Sequence, residues 1–121
     1  MDLYKEEVMD HYEHPRNRGE LVGEDVLSGR DSNASCGDIV QFFIKVVKGK
    51  ITEVKWEGIG CAITTAAASK LSEYLQGLAL KDLRKMSEEE LLQKGVGFEV
   101  NPGRIKCLVL PVKVVKKLLG N

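Results

Sequence analysis

The sequence predicts an α+β fold: one helix, a small antiparallel sheet, then a run of helices. Three observations predict it. An apolar repeat of helical spacing opens the chain, and two β-branched and aromatic stretches follow across a glycine-containing turn. The composition then switches to Ala, Leu, Ser, Lys and Glu. At 121 residues there is room for one core, so a single domain over 1–121 is expected.

Residues 2–13 suit an amphipathic helix, with Leu3, Tyr4, Val8, Met9 and Tyr12 at helical spacing; Pro15 ends it and Asn17-Arg18-Gly19 continues as a turn. A weak strand signal covers 25–30, and two stronger strands cover 39–47 and 51–57. Lys48-Gly49-Lys50 between them reads as a hairpin loop, and Gly58 and Gly60 break the strand pattern. Residues 62–76 form a helix that Gly77 can end in a left-handed conformation. Two short helices follow at 78–85 and 87–94, the second opened by a capping box of Ser87 and Glu90. Residues 95–103 read as a loop. The last segment is an apolar and basic helix that should begin near Pro111 or kink there, because proline lacks the amide hydrogen of a helix interior. With these the chain has about five helices.

Eighteen basic residues balance eighteen acidic ones. Nucleic-acid binding needs a basic excess to displace counterions, so no nucleic-acid partner is expected. No apolar run approaches the roughly 20 residues that span a bilayer, so no membrane partner is expected either. The first residues, Met1-Asp2-Leu3-Tyr4-Lys5-Glu6-Glu7, resemble neither a secretory signal nor an Arg-rich presequence. A cytoplasmic protein with reduced thiols is the expectation, and an odd cysteine count of three speaks against a disulfide framework.

The three cysteines fall at junctions between expected elements. Cys36 sits in Ser35-Cys36-Gly37-Asp38 ahead of a strand, Cys61 between Gly58-Ile59-Gly60 and the Ala-rich helix, and Cys107 between the Gly/Pro loop and the last helix. Such junctions can converge at one end of a sheet, and glycines let backbone approach an ion closely. The amides of the helix after Cys61 would stabilise its thiolate. Each cysteine alone also reads as an inert small hydrophobe of the core. The spacing is that of neither a zinc ribbon nor a ferredoxin.

Four stretches carry a family resemblance: Asp10-His11-Tyr12-Glu13-His14-Pro15-Arg16-Asn17-Arg18-Gly19, Asn33-Ala34-Ser35-Cys36-Gly37-Asp38, Gly58-Ile59-Gly60-Cys61-Ala62-Ile63 and Arg104-Ile105-Lys106-Cys107. Together, in order and over nearly the whole chain, they resemble the IscU/NifU-type iron–sulfur scaffold family, including its SufU branch. The resemblance implies a three-stranded antiparallel sheet and a cluster site of Cys36, Asp38, Cys61 and Cys107. The implied cofactor is an iron–sulfur cluster, by default [2Fe-2S], with Fe2+ or Zn2+ at the same site. The implied partners are a cysteine desulfurase and recipient apo iron–sulfur proteins, and a homo-oligomer is a further candidate assembly.

The chain departs from the family pattern at several positions. Ala34 replaces a proline two residues before the first cysteine, and Lys106 replaces a histidine before the third. Asn101-Pro102-Gly103-Arg104 occupies the place of a segment read by a dedicated chaperone. Lys106 and the Ala-rich helix resemble the SufU branch, yet the stretch from Cys61 to Cys107 is too short for that branch's typical insertion.

Thiolates suit cluster iron, while a carboxylate is a harder and weaker partner, so Asp38 as a ligand would leave one iron exchangeable. Alone, Asp38 reads as a turn residue bonding its own backbone. His11 and His14 read as helix C-terminal histidines favoured by the dipole rather than as ligands. Lys106 reads either as a stabiliser of a thiolate or persulfide on Cys107 or as a solvated lysine. The glycine-rich segment before Cys107, Lys106 and the resemblance together point to Cys107 as the first sulfur acceptor, with Cys61 at its helix N-terminus as the rival. Trp56 and the tyrosines read as core or half-buried aromatics, and Lys113, Lys116 and Lys117 as a solvated face. The function expected is an assembly scaffold rather than an enzyme. A zinc-bound sulfur acceptor with sulfurtransferase activity and a structural zinc interaction module use the same ligands and stand as alternatives.

Overall fold

A computed structural model describes residues 3–34 and 37–120. The expected hairpin is built on the Lys48-Gly49 turn, where both residues adopt positive φ, 52° and 78°. That is the conformation a two-residue hairpin connection demands. It joins β2 (Asp38–Val47) to β3 (Lys50–Ile59), and β1 (Val26–Asn33) pairs antiparallel along the other side of β2. The three-stranded antiparallel sheet implied by the resemblance is thus present, with β1 starting one residue later and ending three residues later than the pattern at 25–30 suggested.

The sheet's core face shows why the strands are written as they are. Val40, Phe42 and Ile44 of β2 alternate into the core, and Ile51, Val54 and Trp56 of β3 join them, all at most 1% exposed. Ile51 and Val54 are an odd number of residues apart, which would place them on opposite faces of a regular strand. The register resolves this: Val46 faces Ile51 and Lys45 faces Glu53, leaving Thr52 as the extra residue of a bulge. β3 also runs past Gly58, which breaks the composition pattern and not the strand. A Cβ at Gly58 would lie 2.3 Å from the Ile39 carbonyl oxygen, so the close strand approach there needs glycine.

Helix α1 (Leu3–Glu13) packs on α2 (Ala62–Leu75), which lies over β3, while α5 (Ile105–Leu118) covers β1 and β2 and touches α2. Between them lie α3 (Leu80–Lys85) and α4 (Glu88–Leu91), the latter capped as expected: Glu90 N–H donates to Ser87 Oγ at 3.1 Å, and Ser87 N–H to Glu90 Oε1 at 3.4 Å. The helix expected over 87–94 is regular only to Leu91 and widens into a π turn, Leu92–Val96. Gly77 has φ 92° and closes α2 as predicted. No helix among the described residues is long and apolar enough to cross a membrane.

Of the two alternatives for the last helix, a start near Pro111 is not what forms. It starts at Ile105, six residues before Pro111, and carries the proline in its interior. An interior proline costs about 3 kcal/mol in an isolated helix. Here Leu108, Leu110, Val112, Val114 and Val115 are all buried, each worth about 1.5–3 kcal/mol relative to exposure, so packing outweighs the break. The basic residues of this helix are not uniformly solvated. Lys113 is exposed, but Lys116 Nζ donates to the Met86 carbonyl at 2.6 Å and Lys117 Nζ to that of Arg30 at 3.1 Å.

The stretch after α1 is a clasp on the edge of β3. Trp56 N–H donates to the Asn17 carbonyl at 3.0 Å, Gly19 N–H to that of Trp56 at 2.9 Å, and the buried indole Nε1 to that of Arg16 at 2.8 Å. Arg18 lies over the Trp56 ring, 4.9 Å from its centroid, and its Nη2 donates to the Gly58 carbonyl at 2.6 Å.

His11 corrects the reading of a dipole-favoured terminal histidine. It is buried between α1 and α2, with Nδ1 2.7 Å from Ser69 Oγ and Nε2 3.7 Å from Glu73 Oε1. Ser69 Oγ accepts from Arg16 N–H at 2.8 Å and keeps its own proton to give to a bare Nδ1 of neutral His11. Burial, and next the Arg16 charge, push the His11 pKa below its ordinary value of 6.5; Glu73 and Asp10 oppose this more weakly. The folded chain therefore binds this proton less readily than the unfolded one. Stability from neutral His11 is fully present above pH 6.5 and is lost as pH falls through the depressed value. The thermal midpoint measured from pH 7.5 down to 5 should fall more steeply for the wild type than for His11→Asn; equal slopes would contradict this role.

Candidate metal centre

Three of the four expected ligands come together at one end of the sheet. Asp38 opens β2 opposite Asn33, and Gly37 N–H donates to the Asn33 carbonyl at 2.8 Å, joining the two strands. Asp38 is only 3% exposed, unusual for a carboxylate without a role or a partner. Cys61 sits at the N-cap of α2 with extended backbone, and its carbonyl accepts the first helical bond from Thr65 N–H at 3.0 Å. Cys107 is the third residue of α5 and buried. The Asp38 carboxylate and the Cys61 and Cys107 thiols have ligand atoms all within 4.8 Å of one another. Cys36 lies outside the described residues.

The placement of Cys107 corrects its expected position at a loop–helix junction. Pro102–Arg104 forms a 3-10 turn that leads straight into α5, so the thiol stands inside the first helical turn. Gly60 explains how the turn before Cys61 reaches the others. A Cβ there would lie 3.0 Å from Thr64 Cβ and 3.2 Å from Asp38 Cγ, tighter than ordinary contact, and glycine leaves that space open.

The two thiols differ in acidity. Burial works against a thiolate at Cys61, but the backbone N–H of Thr64, the Cys107 thiol and the Ile63 N–H act the other way, and its pKa falls. At Cys107, burial first and then the hydrogen bond and charge of Cys61 push the thiol up to about 12. Cys61 is thus the more acidic of the two thiols, and Cys107 keeps its proton. Lys106 is exposed, lining a groove of about 600 Å3 with residues 31–34, Glu88 and Lys113. At Cys107 burial and the neighbouring Cys61 favour the protonated thiol, against the stabilising effect considered for Lys106.

The donor set fits a thiophilic cation. Zinc binds thiolate at about 2.3 Å and carboxylate at about 2.0–2.2 Å, so donors within 4.8 Å need close by only about 1 Å to share one ion. Such binding expels the Cys107 proton and replaces it with the cation's charge. The half-buried Cys61 lies beside Ile59, and Ile105 stands two residues before Cys107; these isoleucines are 74% and 46% exposed. The three-ligand group contains neither histidine.

Sequence reasoning missed Thr64, the hydroxyl between the ligands. Its Oγ1 donates to Asp38 Oδ2 at 2.7 Å and lies 3.6 Å from Cys61 Sγ. Its spacing held the signal, since the third residue of a helix stands next to the N-cap.

The chain is 30% identical to the iron-sulfur cluster assembly scaffold protein IscU of Thermotoga maritima, across 97% of this chain and 92% of the relative. It is 31% identical to the zinc-dependent sulfurtransferase SufU of Bacillus subtilis, across 95% and 88%. A crystal structure from thermophilic Fervidobacterium islandicum AW-1, of a protein put forward as an iron-sulfur cluster assembly scaffold for the SUF system, superimposes with a TM-score of 0.74 at 29% identity, covering 94% of each chain. The family model described as NifU-like N terminal domain matches residues 3–121, and the chain belongs to that family.

Proposed function

We propose that this chain is a scaffold that builds an iron–sulfur cluster on Cys36, Asp38, Cys61 and Cys107 and passes it to apo-proteins. The observation that carries the proposal is the meeting of two thiols and a carboxylate, from three separate elements, within 4.8 Å. The cluster is cargo, by default [2Fe-2S], with sulfur supplied by a cysteine desulfurase. Three thiolates anchor it and the harder carboxylate is the ligand that yields. The test is anaerobic reconstitution with iron and sulfide, followed by a visible spectrum and transfer to an apo-ferredoxin. A chromophore that transfers supports the scaffold, and Cys36→Ser, Cys61→Ser and Cys107→Ser should each abolish stable metal binding. A variant that keeps full stoichiometry would return its cysteine to the core.

A second reading has Zn2+ on the same residues, with sulfur accepted by a cysteine. It is favoured by the 31% identity to a zinc-dependent sulfurtransferase and by a donor set that suits zinc. Colourless protein whose zinc is required for persulfide acceptance would select this reading over the scaffold.

Asp38→Ala should lengthen cluster lifetime and slow transfer, since it removes the most exchangeable ligand. The decay of the visible band with and without an apo-acceptor measures both, and equal or faster loss than wild type would refute it.

Cys107 is proposed as the sulfur acceptor. Its thiolate attacks the terminal sulfur of the desulfurase persulfide, and the desulfurase thiolate leaves. Because burial and Cys61 hold the proton on Cys107 in the ion-free site, acceptance there should require metal loading. Peptide mass spectrometry after brief exposure to a desulfurase and free cysteine should find persulfide first on Cys107 in loaded protein. In metal-free protein Cys61 should be labelled ahead of Cys107. First labelling of Cys61 or Cys36 in the loaded protein would rule this order out.

A further inference from the structure

Thr64 has not been given a role by any of the preceding chemistry, yet it is 1% exposed and touches two of the three ligands. A hydroxyl has one proton to give. The 2.7 Å separation from Asp38 Oδ2 is that of a strong O–H···O bond to a carboxylate, so the proton is committed there. Toward Cys61 the oxygen can offer only a lone pair.

The direction of that hydroxyl is fixed by packing. Thr64 is β-branched and sits in a helix, which restricts its χ1. Its Cβ and Cγ2 are wedged under Gly60, each 3.0 Å from where a Cβ would stand. The methyl is held by the turn that carries Cys61, and the hydroxyl is left facing the carboxylate. The same side chain thus gauges the approach of α2 to β2 and the orientation of Asp38.

We propose that Thr64 is a positioning residue: by occupying Oδ2 of Asp38 it presents the other carboxylate oxygen, alone, to an ion shared with Cys61 and Cys107. The role rests on the metal-holding function proposed above. Hydrogen bonds of this kind orient metal ligands generally, and their loss costs about 10–100-fold in affinity. Here the bond also limits Asp38 to a single donor atom, which keeps the carboxylate the weakest member of the set.

The probe is Co2+ alone, followed by its visible absorption and by competition with a chelator, in a double-mutant cycle. Thr64→Val keeps the wedge under Gly60 and deletes the hydroxyl; it should weaken Co2+ binding by about tenfold or more, while Thr64→Ser stays within about threefold of wild type. In an Asp38→Ala background, Thr64→Val should change nothing further. If Thr64→Val does not fold, Thr64→Ala removes the same hydroxyl and enters the same cycle. Wild-type affinity in the hydroxyl-free variant, or an equal loss with and without Asp38, would overturn the role while leaving the metal site standing. Wild-type protein that takes up no Co2+ would overturn both.

Discussion

The close packing of α2 is the constraint on which the other elements depend. Ala66, Ala67, Ala68, Ser69 and Ser72 are completely buried, so the helix meets its neighbours on several sides with almost no side-chain bulk. Small residues let backbones approach, but they bury little apolar area each, and the deficit is met by polar contacts made at short range. Ser72 Oγ donates to the Ser69 carbonyl at 2.6 Å and accepts from Asn17 Nδ2 at 3.0 Å, while Ser69 Oγ accepts from Arg16 N–H and pairs with His11 Nδ1. Enlarging any of these positions would push away α1, the clasp on Trp56 or the sheet. The N-terminus of the same helix delivers Cys61 and Thr64, so the depth at which α2 sits also fixes the ligand geometry.

Much of this was legible in the residues. Hairpin, caps and the Ala-rich helix follow from local chemistry: Lys48-Gly49, Ser87 with Glu90, and Gly77 act within a few residues of themselves. Where tertiary contacts decide, pattern fails. Gly58 marks a close strand approach, and Pro111 is tolerated because α5 is clamped by buried neighbours. His11 lies 58 residues from the Ser69 hydroxyl it meets, and nothing local announces that. Motifs singled out Asp38, Cys61 and Cys107, and the fold brings their donor atoms within 4.8 Å of one another. The opposite pKa shifts of the two thiols were not legible, because they arise from burial and from one thiol acting on another.

Among the described residues, the candidate site combines a buried framework with one more accessible sulfur. Asp38 and Cys107 are each 3% exposed, whereas Cys61 is half-buried at the tip of the β3–α2 turn. Arg18, through the Gly58 carbonyl, ties this turn back to the Trp56 clasp. The motif Pro15-Arg16-Asn17-Arg18-Gly19 therefore serves the site from a distance, as a brace.

Pro111 stands four residues after Cys107, and that spacing divides α5 mechanically. A helical residue's carbonyl is bonded by the amide four positions on, and proline has none to offer. The first turn is fastened to the rest through the carbonyls of Ile105 and Lys106, while that of Cys107 lacks its helical donor. Beyond the proline, Val112, Val114 and Val115 stay anchored in the core. Fraying of this end therefore has a natural stopping point. Up to the proline the turn bearing Cys107 is held by one hydrogen bond fewer, about 1 kcal/mol, than in an unbroken helix, and by the burial of Leu108 and Leu110.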